Sequence, residues 1–331
     1  MPSAASSSVL GEIAGIEDYW ARRTLRSQRP VRGGMADQIL LDVLGLGIEQ
    51  TIRHLGQTRP DFDAFEAWVL ATAGPPDPAK VARYNAWVSA APMPEAAARE
   101  LAAIDAMAPV LDEADLAHWD RFGYLVLRAA IAPDEAAAVA ALLWRLLDAN
   151  PDDPAGWYGP RTNGIMIQHF QDPLLEVARR SMRIHKAFAQ LHGTSDLWST
   201  TDRLGFNPPE HAGYRFPGPH LHWDMSLAPP RPLMTGGILY LTDTDANQGA
   251  LRVVPGFHRR LDDWLAAIGE TDPRTVDLSG EAVPIAGRAG DLVIWRHELP
   301  HGASPNTADR PRMVQYVNRY APNAVEQGVW L

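Results

Sequence analysis

The sequence predicts an α+β chain in which a helical N-terminal part precedes a C-terminal β-sandwich or jelly roll. Three observations predict it. Residues 1–110 carry long helical periods and little β pattern. Residues 111–200 read as helix, strand and helix. Residues 200–325 hold short apolar runs, GGILYLT, ALRVVP, DLVIWR and RMVQYVNRY, separated by Gly and Pro clusters. Many short strands punctuated in this way belong to sheets packed on sheets.

Each element follows from local chemistry. In MADQILLDVLGLGIEQTIRHLG, Ile39, Val43, Leu46 and Ile48 recur near helical spacing. DFDAFEAWVLATAG is a helix begun by Asp61 or Asp63 as N-cap and closed by Gly74, after which Pro75, Pro76 and Pro78 break the chain. PEAAARELAAIDAMAPVL, rich in Ala and Leu, is a third helix. Gly123 closes the helix that begins the middle stretch, Tyr124–Leu127 is β-like, and Pro133 with Asp134 and Glu135 starts another helix, the acids suiting the positive end of its dipole. Around residue 165, Ile165 and Ile167 alternate with Met166 and Gln168, as in a strand near the core. The expected division is a helical extension over 1–110 and a second domain over 111–331.

Composition excludes several function classes. With 331 residues and 46% hydrophobic residues, the chain is long and apolar enough for one large or two small domains. There is no cysteine, so disulfides, zinc–thiolate sites, iron–sulfur clusters and cysteine nucleophiles are ruled out. Any metal must be held by His, Asp or Glu. A formal net charge of −10 disfavours binding along a nucleic-acid backbone. No run of about 18 apolar residues predicts a membrane span. The opening MPSAASSSVLGEIAG reads as a loose tail and not as a signal peptide. A cytoplasmic protein acting on a small molecule is the expectation.

The chemistry concentrates in PHLHWDMS, residues 219–226. His222 and Asp224 are two apart, so on a strand both side chains point to one face and can grip one metal ion. An imidazole and a carboxylate are suitable donors for iron(II). Downstream, GDLVIWRHELPHGASPNTADRPRMVQY offers His297 and His301 as a third ligand, and Arg312 stands eleven residues beyond His301. Two His and one carboxylate on one side of a metal leave positions for a chelating 2-oxo acid and for oxygen. The distal carboxylate of such an acid needs a buried cation, and the planar fork of Arg suits it. His220 shares the alternation with His222 and Asp224 and is read as a polar neighbour, and Trp223 as core.

These residues resemble the phytanoyl-CoA dioxygenase family of iron(II)/2-oxoglutarate oxygenases over roughly residues 112–320. Four pieces carry the likeness in the family's order: LAHWDRFGYLVLRAAIAPDE; His222-Trp223-Asp224; QGALRVVPGFHR; and GDLVIW followed by His301-Gly302, Asn306 and Arg312. The H-x-D triplet alone is weak; the ordered set is specific. In the family the distal histidine opens an H-G motif and the cosubstrate arginine follows eleven residues later. The resemblance therefore implies His222, Asp224 and His301 as metal ligands, with His301 preferred to His297, and Arg312 preferred to Arg310 for 2-oxoglutarate.

It also implies a double-stranded β-helix, the cupin-like jelly roll, from about residue 160, with the helices of 112–200 outside it. The implied cofactors are Fe(II), 2-oxoglutarate and O2, and the implied reaction is hydroxylation of an unactivated C–H bond with release of succinate and CO2. No catalytic residue beyond the metal centre is expected. Because Asp224 is present, oxygen transfer or desaturation is favoured over halogenation, which in related enzymes goes with a small residue at that position. Gln168, Ser304, Asn306 and Thr235 are candidates for contacts near 2-oxoglutarate, and Arg203 and Asn207 for the substrate. Two departures stand out: Ala303 where the family often has Ser, with Ser304 one place later, and Phe257 where the turn usually has Ser. The competing readings are a zinc hydrolase on the same ligands and a non-catalytic jelly-roll binding protein. The N-terminal 110 residues, without a counterpart in the family, could cover the barrel mouth, form a homodimer interface or dock a carrier protein.

Overall fold

The computed structural model describes residues 10–27, 34–159, 164–322 and 327–331. Most of the tail expected at the start of the chain lies outside the described residues. The chain divides into two compact units, Met1–Ala106 and Met107–Leu331.

The first unit holds α1 (Ile16–Arg23), α2 (Gly34–Val43), α3 (Ile48–Thr58), α4 (Phe62–Ala73), α5 (Pro78–Val88) and α6 (Glu95–Ala106). The α4 caps are those the sequence announces, whereas Pro78, expected to break the chain, instead opens α5. The Asp61 carboxylate accepts from the Ala64 amide, Gly74 closes α4, and Asp77 caps α5 with Pro78 just inside. The long period over 35–56 does not form one helix. Gly45, at φ 67°, turns the chain in the left-handed region, which carries Leu44 and Leu46 into the core and leaves Ile48 on the surface as α3 starts.

The second unit begins with α7 (Glu113–Phe122), β1 (Tyr124–Leu127) and α8 (Pro133–Leu147). There follow β2 (Met166–Ile167), α9 (Pro173–Arg180), α10 (Met182–His192), β3 (Trp198–Ser199), β4 (Leu204–Asn207), β5 (Thr235–Tyr240) and β6 (Leu251–Val253). The last elements are α11 (Leu261–Ile268), β7 (Val283–Ile285), β8 (Leu292–Arg296), β9 (His301–Gly302), β10 (Arg312–Tyr316) and β11 (Arg319–Tyr320). Six strands form one antiparallel sheet in the order β1-β8-β5-β10-β4-β2, three form a second, β7-β6-β9, and β11 pairs with β3. Sheet pairing starts earlier than residue 160. Gly123 turns the chain at φ 77° and accepts from the Arg296 amide, which aligns β1 as the edge strand on β8.

Alternation along each strand decides what the large sheet touches. Leu239, Leu292, Ile294, Met313 and Phe206 share a core with Val139 and Leu143 of α8 and Phe188 of α10. Ile238, Tyr240, Val293, Trp295 and Val314 point the other way, into a core shared with Leu251 and Val253 of β6. Arg312, two residues before Val314, belongs to this second face.

Two glycines in β5 make room at the sheet. A Cβ on Gly236 would lie 2.2 Å from the Trp295 ring, and one on Gly237 would lie 2.0 Å from the Val317 carbonyl oxygen. A backbone carbonyl cannot swing aside, so Gly237→Ala is expected to cost about 2–3 kcal/mol of stability. Gly56→Ala, in α3 with open space around it, should instead be neutral or stabilising by up to about 1 kcal/mol. Urea unfolding midpoints of the two variants would check the contrast.

Candidate metal centre

His222 lies in no regular strand. It forms an isolated antiparallel bridge with His301, the first residue of β9, through His222 N–H to His301 O (2.9 Å) and His301 N–H to His222 O (3.0 Å). The strand expected over 220–224 is thus reduced to one bridge, and the ligand atoms converge through that pairing. Gly302 is needed beside it, because a Cβ there would lie 2.4 Å from the His220 carbonyl oxygen. The H-G pair is therefore a packing requirement: the 219–220 backbone runs against residue 302.

Both imidazoles are held alike. His222 Nδ1–H donates to the His220 carbonyl (2.7 Å) and His301 Nδ1–H to the Leu299 carbonyl (3.1 Å). A carbonyl can only accept, so in each neutral ring Nε2 carries the lone pair. Asp224 reaches both: Oδ1 is 3.3 Å from His222 Nε2 and Oδ2 is 3.1 Å from His301 Nε2. The ligand atoms of His222, Asp224 and His301 all lie within 4.8 Å of one another. His297 is outside this cluster, its ring stacked 6.0 Å from that of His301. The centre opens on one side, with His301 4% exposed and Asp224 48%. Trp223 turns into the core against Phe257 and Trp264, so Phe257 supports the ligand segment from behind.

The electrostatics follow from this geometry. Burial alone would raise the Asp224 carboxyl, but the bonds to His222 and His301 outweigh it and hold the group well below the usual carboxylate range. Burial would lower His222, but its bond to Asp224 wins and raises it above 6.5. His297 is pushed down to about 4, chiefly by burial.

Arg312 is the largest fully buried side chain, 1% exposed. Its Nε and Nη2 have no hydrogen-bond partner. Burial pushes the hydroxyls of Tyr240 (to about 12) and Tyr316 up, and the nearby Arg312 guanidinium offsets this only in part. Opposite Arg312 in the β10–β4 register stands Asn207, fully buried, with Oδ1 also unpartnered. The two open Arg312 donors in this buried region fit an anionic ligand.

The other expected residues fall differently. Asn306 spends Nδ2 on the carbonyls of Asn207 and Arg310 and Oδ1 on the Ala308 amide, so it ties the loop before β10. The Ser304 hydroxyl donates to the Ala250 carbonyl, while Ala303 packs with Ile165 and Phe216. Thr235 sits at the other end of β5 from Arg312, bonded to His192, Asn318 and the Arg319 carbonyl. Arg203 pairs with Asp202, and Gln168 lies partly buried just past β2. Sequence reasoning missed Arg274, which donates from Nη1 to the Trp223 carbonyl (3.0 Å) and from Nη2 to the Met225 carbonyl (2.8 Å). Its partners are backbone atoms, which leave no trace in residue types. It also missed Tyr316, although the alternation from Arg312 puts both on one face.

An antiparallel fold carrying a cluster of two His and one carboxylate, and a buried arginine with open donors, is suited to a metal ion used together with an anionic ligand. A sequence model of the phytanoyl-CoA dioxygenase (PhyH) family matches residues 119–314, more than half of the chain, and the chain belongs to that family. It is an Fe(II)- and 2-oxoglutarate-dependent dioxygenase. The ectoine dioxygenase of Bordetella bronchiseptica is 25% identical over 231 residues, covering 59% of this chain and 70% of its own. The crystal structure of AviO1 from Streptomyces viridochromogenes shares 21% identity, covers 66% of this chain and 99% of that one, and superposes with a TM-score of 0.47. That of HygX from Streptomyces hygroscopicus, with nickel and 2-oxoglutarate bound, shares 17% identity over 64% of this chain and 88% of that one, with a TM-score of 0.46. No helix among the described residues is long and apolar enough to cross a membrane.

The donor set fits iron, since two neutral Nε2 atoms and a carboxylate converge from one side, and the unpartnered Arg312 fits a carboxylate. Without metal, the raised His222 proton helps stability below pH 6.5, and that help is lost as pH rises through its raised value. Asp224, depressed, contributes above pH 3.8 and loses its contribution on further acidification. A metal must displace the His222 proton, so affinity for Co(II) should rise with pH, with proton release, until pH passes the raised His222 value and then level off. Calorimetric titration in buffers of different ionisation enthalpy would measure this.

Proposed function

We propose that His222, Asp224 and His301 hold the iron and that Arg312 binds the distal carboxylate of 2-oxoglutarate, in an enzyme that hydroxylates an unactivated C–H bond of a small molecule. The observation that carries the reading is Arg312, buried with two unpartnered donors on the sheet face shared with the second core. A hydrolase using the same ligands gives no reason to bury such a cation. Ser304 and Asn306 support this anion site by fixing the loop that leads to β10.

In this reading the two sheets close on one another as a double-stranded β-helix, with β6 and β9 facing β5, β8 and β10. The bound iron supplies oxygen activation coupled to oxidative decarboxylation of 2-oxoglutarate to succinate and CO2. The chain's own residues do the rest. The Nδ1–H bonds to His220 and Leu299 fix both imidazoles. Arg312 orients the cosubstrate from its far end and neutralises its charge. Phe216 and Ala303, packed together with Ile165 and with Ala303 two residues past His301, form an apolar wall that keeps water from one side of the reacting region. Residues 1–110 form an extension that influences substrate range or oligomeric state. Removal of residues 1–105 should change one of these while leaving Co(II) affinity intact, which equilibrium titration and sedimentation would read.

The direct test is iron- and oxygen-dependent formation of succinate from 2-oxoglutarate. Asp224→Ala should abolish it. Arg312→Ala should raise the KM for 2-oxoglutarate about a hundredfold, the loss of a charge-assisted bidentate contact of about 3 kcal/mol. An unchanged KM for 2-oxoglutarate in Arg312→Ala would overturn the cosubstrate assignment.

A further inference from the structure

The ligand segment has a regular partner on one edge only. His222 is bridged to His301, but residues 223–228 belong to no strand. Their backbone groups find partners in two distant places. Arg274 donates to the carbonyls of Trp223 and Met225, the two residues flanking Asp224. The same Nη2 donates to the Leu331 carbonyl (2.8 Å), and the guanidinium lies 5.0 Å from the Trp330 ring.

Residues 327–331 continue the pattern. The Gln327 side chain accepts from the Ser226 amide (3.1 Å) and donates to the carbonyls of Ser226 (2.8 Å) and Ala228 (3.0 Å). The fully buried Ser226 hydroxyl donates to the Val329 carbonyl (2.7 Å) and accepts from the Leu331 amide (3.0 Å). The Leu227 amide donates to the Leu331 carbonyl (3.2 Å). The segment does not dock by burying its own apolar side chains, since Val329 and Trp330 are 66% and 68% exposed. Polar bonds to the ligand loop hold it, and a segment held so can detach at low cost.

We propose that residues 327–331 and Arg274 form a strap that positions Asp224, so that strap docking and metal loading are coupled. The proposal rests on the assignment of Asp224 as a ligand. Asp224 is one residue from both carbonyls that Arg274 holds and two from Ser226, the hub of the strap. With the strap detached, Trp223 still anchors the segment on one side of Asp224, but the Met225–Ala228 backbone on its other side loses the Arg274, Gln327 and Leu331 bonds that hold it. Losing partners that orient a ligand typically costs 10–100-fold in metal affinity. By reciprocity the metal tightens the strap by the same factor.

Cobalt(II) serves as the probe, in competition with a chromophoric chelator, on the full chain. Gln327→Ala and removal of residues 327–331 should each weaken Co(II) binding at least about tenfold and alter its visible ligand-field spectrum. Arg274→Gln should do the same and Arg274→Lys should recover part of the loss. In the wild type, Co(II) should slow hydrogen exchange at the Ser226, Leu227 and Leu331 amides. Wild-type affinity and spectrum in Gln327→Ala, with its helical and sheet content unchanged, would overturn the strap even where the truncated chain fails to fold. Asp224→Ala separates the two ideas: if it binds Co(II) as well as the wild type, the ligand assignment itself fails; if it loses binding while the strap variants keep it, only the strap fails.

Discussion

Two backbone hydrogen bonds between His222 and His301 join segments that are far apart in the chain, and the site depends on them. The bridge sets the separation of the imidazoles, and the carbonyls of His220 and Leu299, each two residues before its histidine, set the rotation of each ring. Asp224 is within reach only because the chain continues past the bridge in the same direction. Gly302 permits the contact, and β9 passes it on to the three-stranded sheet through Val253. His301 and, through the bridge, His222 are thereby anchored to one sheet while Arg312 stands on the other. The core of Tyr240, Leu251, Val253, Val293 and Val314 fixes how far apart they are.

Arg312 is the costly member of this arrangement. A guanidinium taken from water without a carboxylate partner forfeits solvation that the two nearby tyrosine hydroxyls repay only in part. The fold tolerates this because the loop behind it is over-tied: Asn306 binds three backbone groups, Asn207 binds the Ser304 carbonyl, and Gln248 binds the Pro311 carbonyl. The Asn306, Asn207 and Gln248 amide groups that tie this loop are spent on backbone carbonyls, while Arg312 Nε and Nη2 keep their donors open for a ligand.

Much of this was legible in the sequence, for identifiable reasons. Apolar runs and turn residues mark β5, β6, β8 and β10 because sheet strands must alternate and must end. The H-x-D and H-G pairs are local spacings, and the fold brings His222, Asp224 and His301 together, while the residue eleven beyond His301 is a buried arginine at the start of β10. What stayed hidden is the use made of polar side chains by distant backbone. Ser304, Asn306 and Thr235 have the right chemistry for a cosubstrate, but each finds main-chain partners that only the topology supplies. Arg274 is the converse case, an ordinary surface-type residue by sequence that holds the segment bearing Asp224. Gly45 shows the same limit in the helical unit, where one left-handed residue divides what periodicity joins.

The rotation of the two histidines has a consequence for metal choice. Both Nε2 lone pairs are aimed by the protein itself, so a divalent ion entering the proposed centre pays little to organise it. A site prepared in this way ranks ions by their intrinsic bond strengths, which increase from iron(II) through cobalt and nickel to copper. Such a centre does not reject the tighter binders, so its iron content reflects the supply of metals around it, and a protein purified in contact with nickel resin should carry nickel that silences it without disturbing its fold.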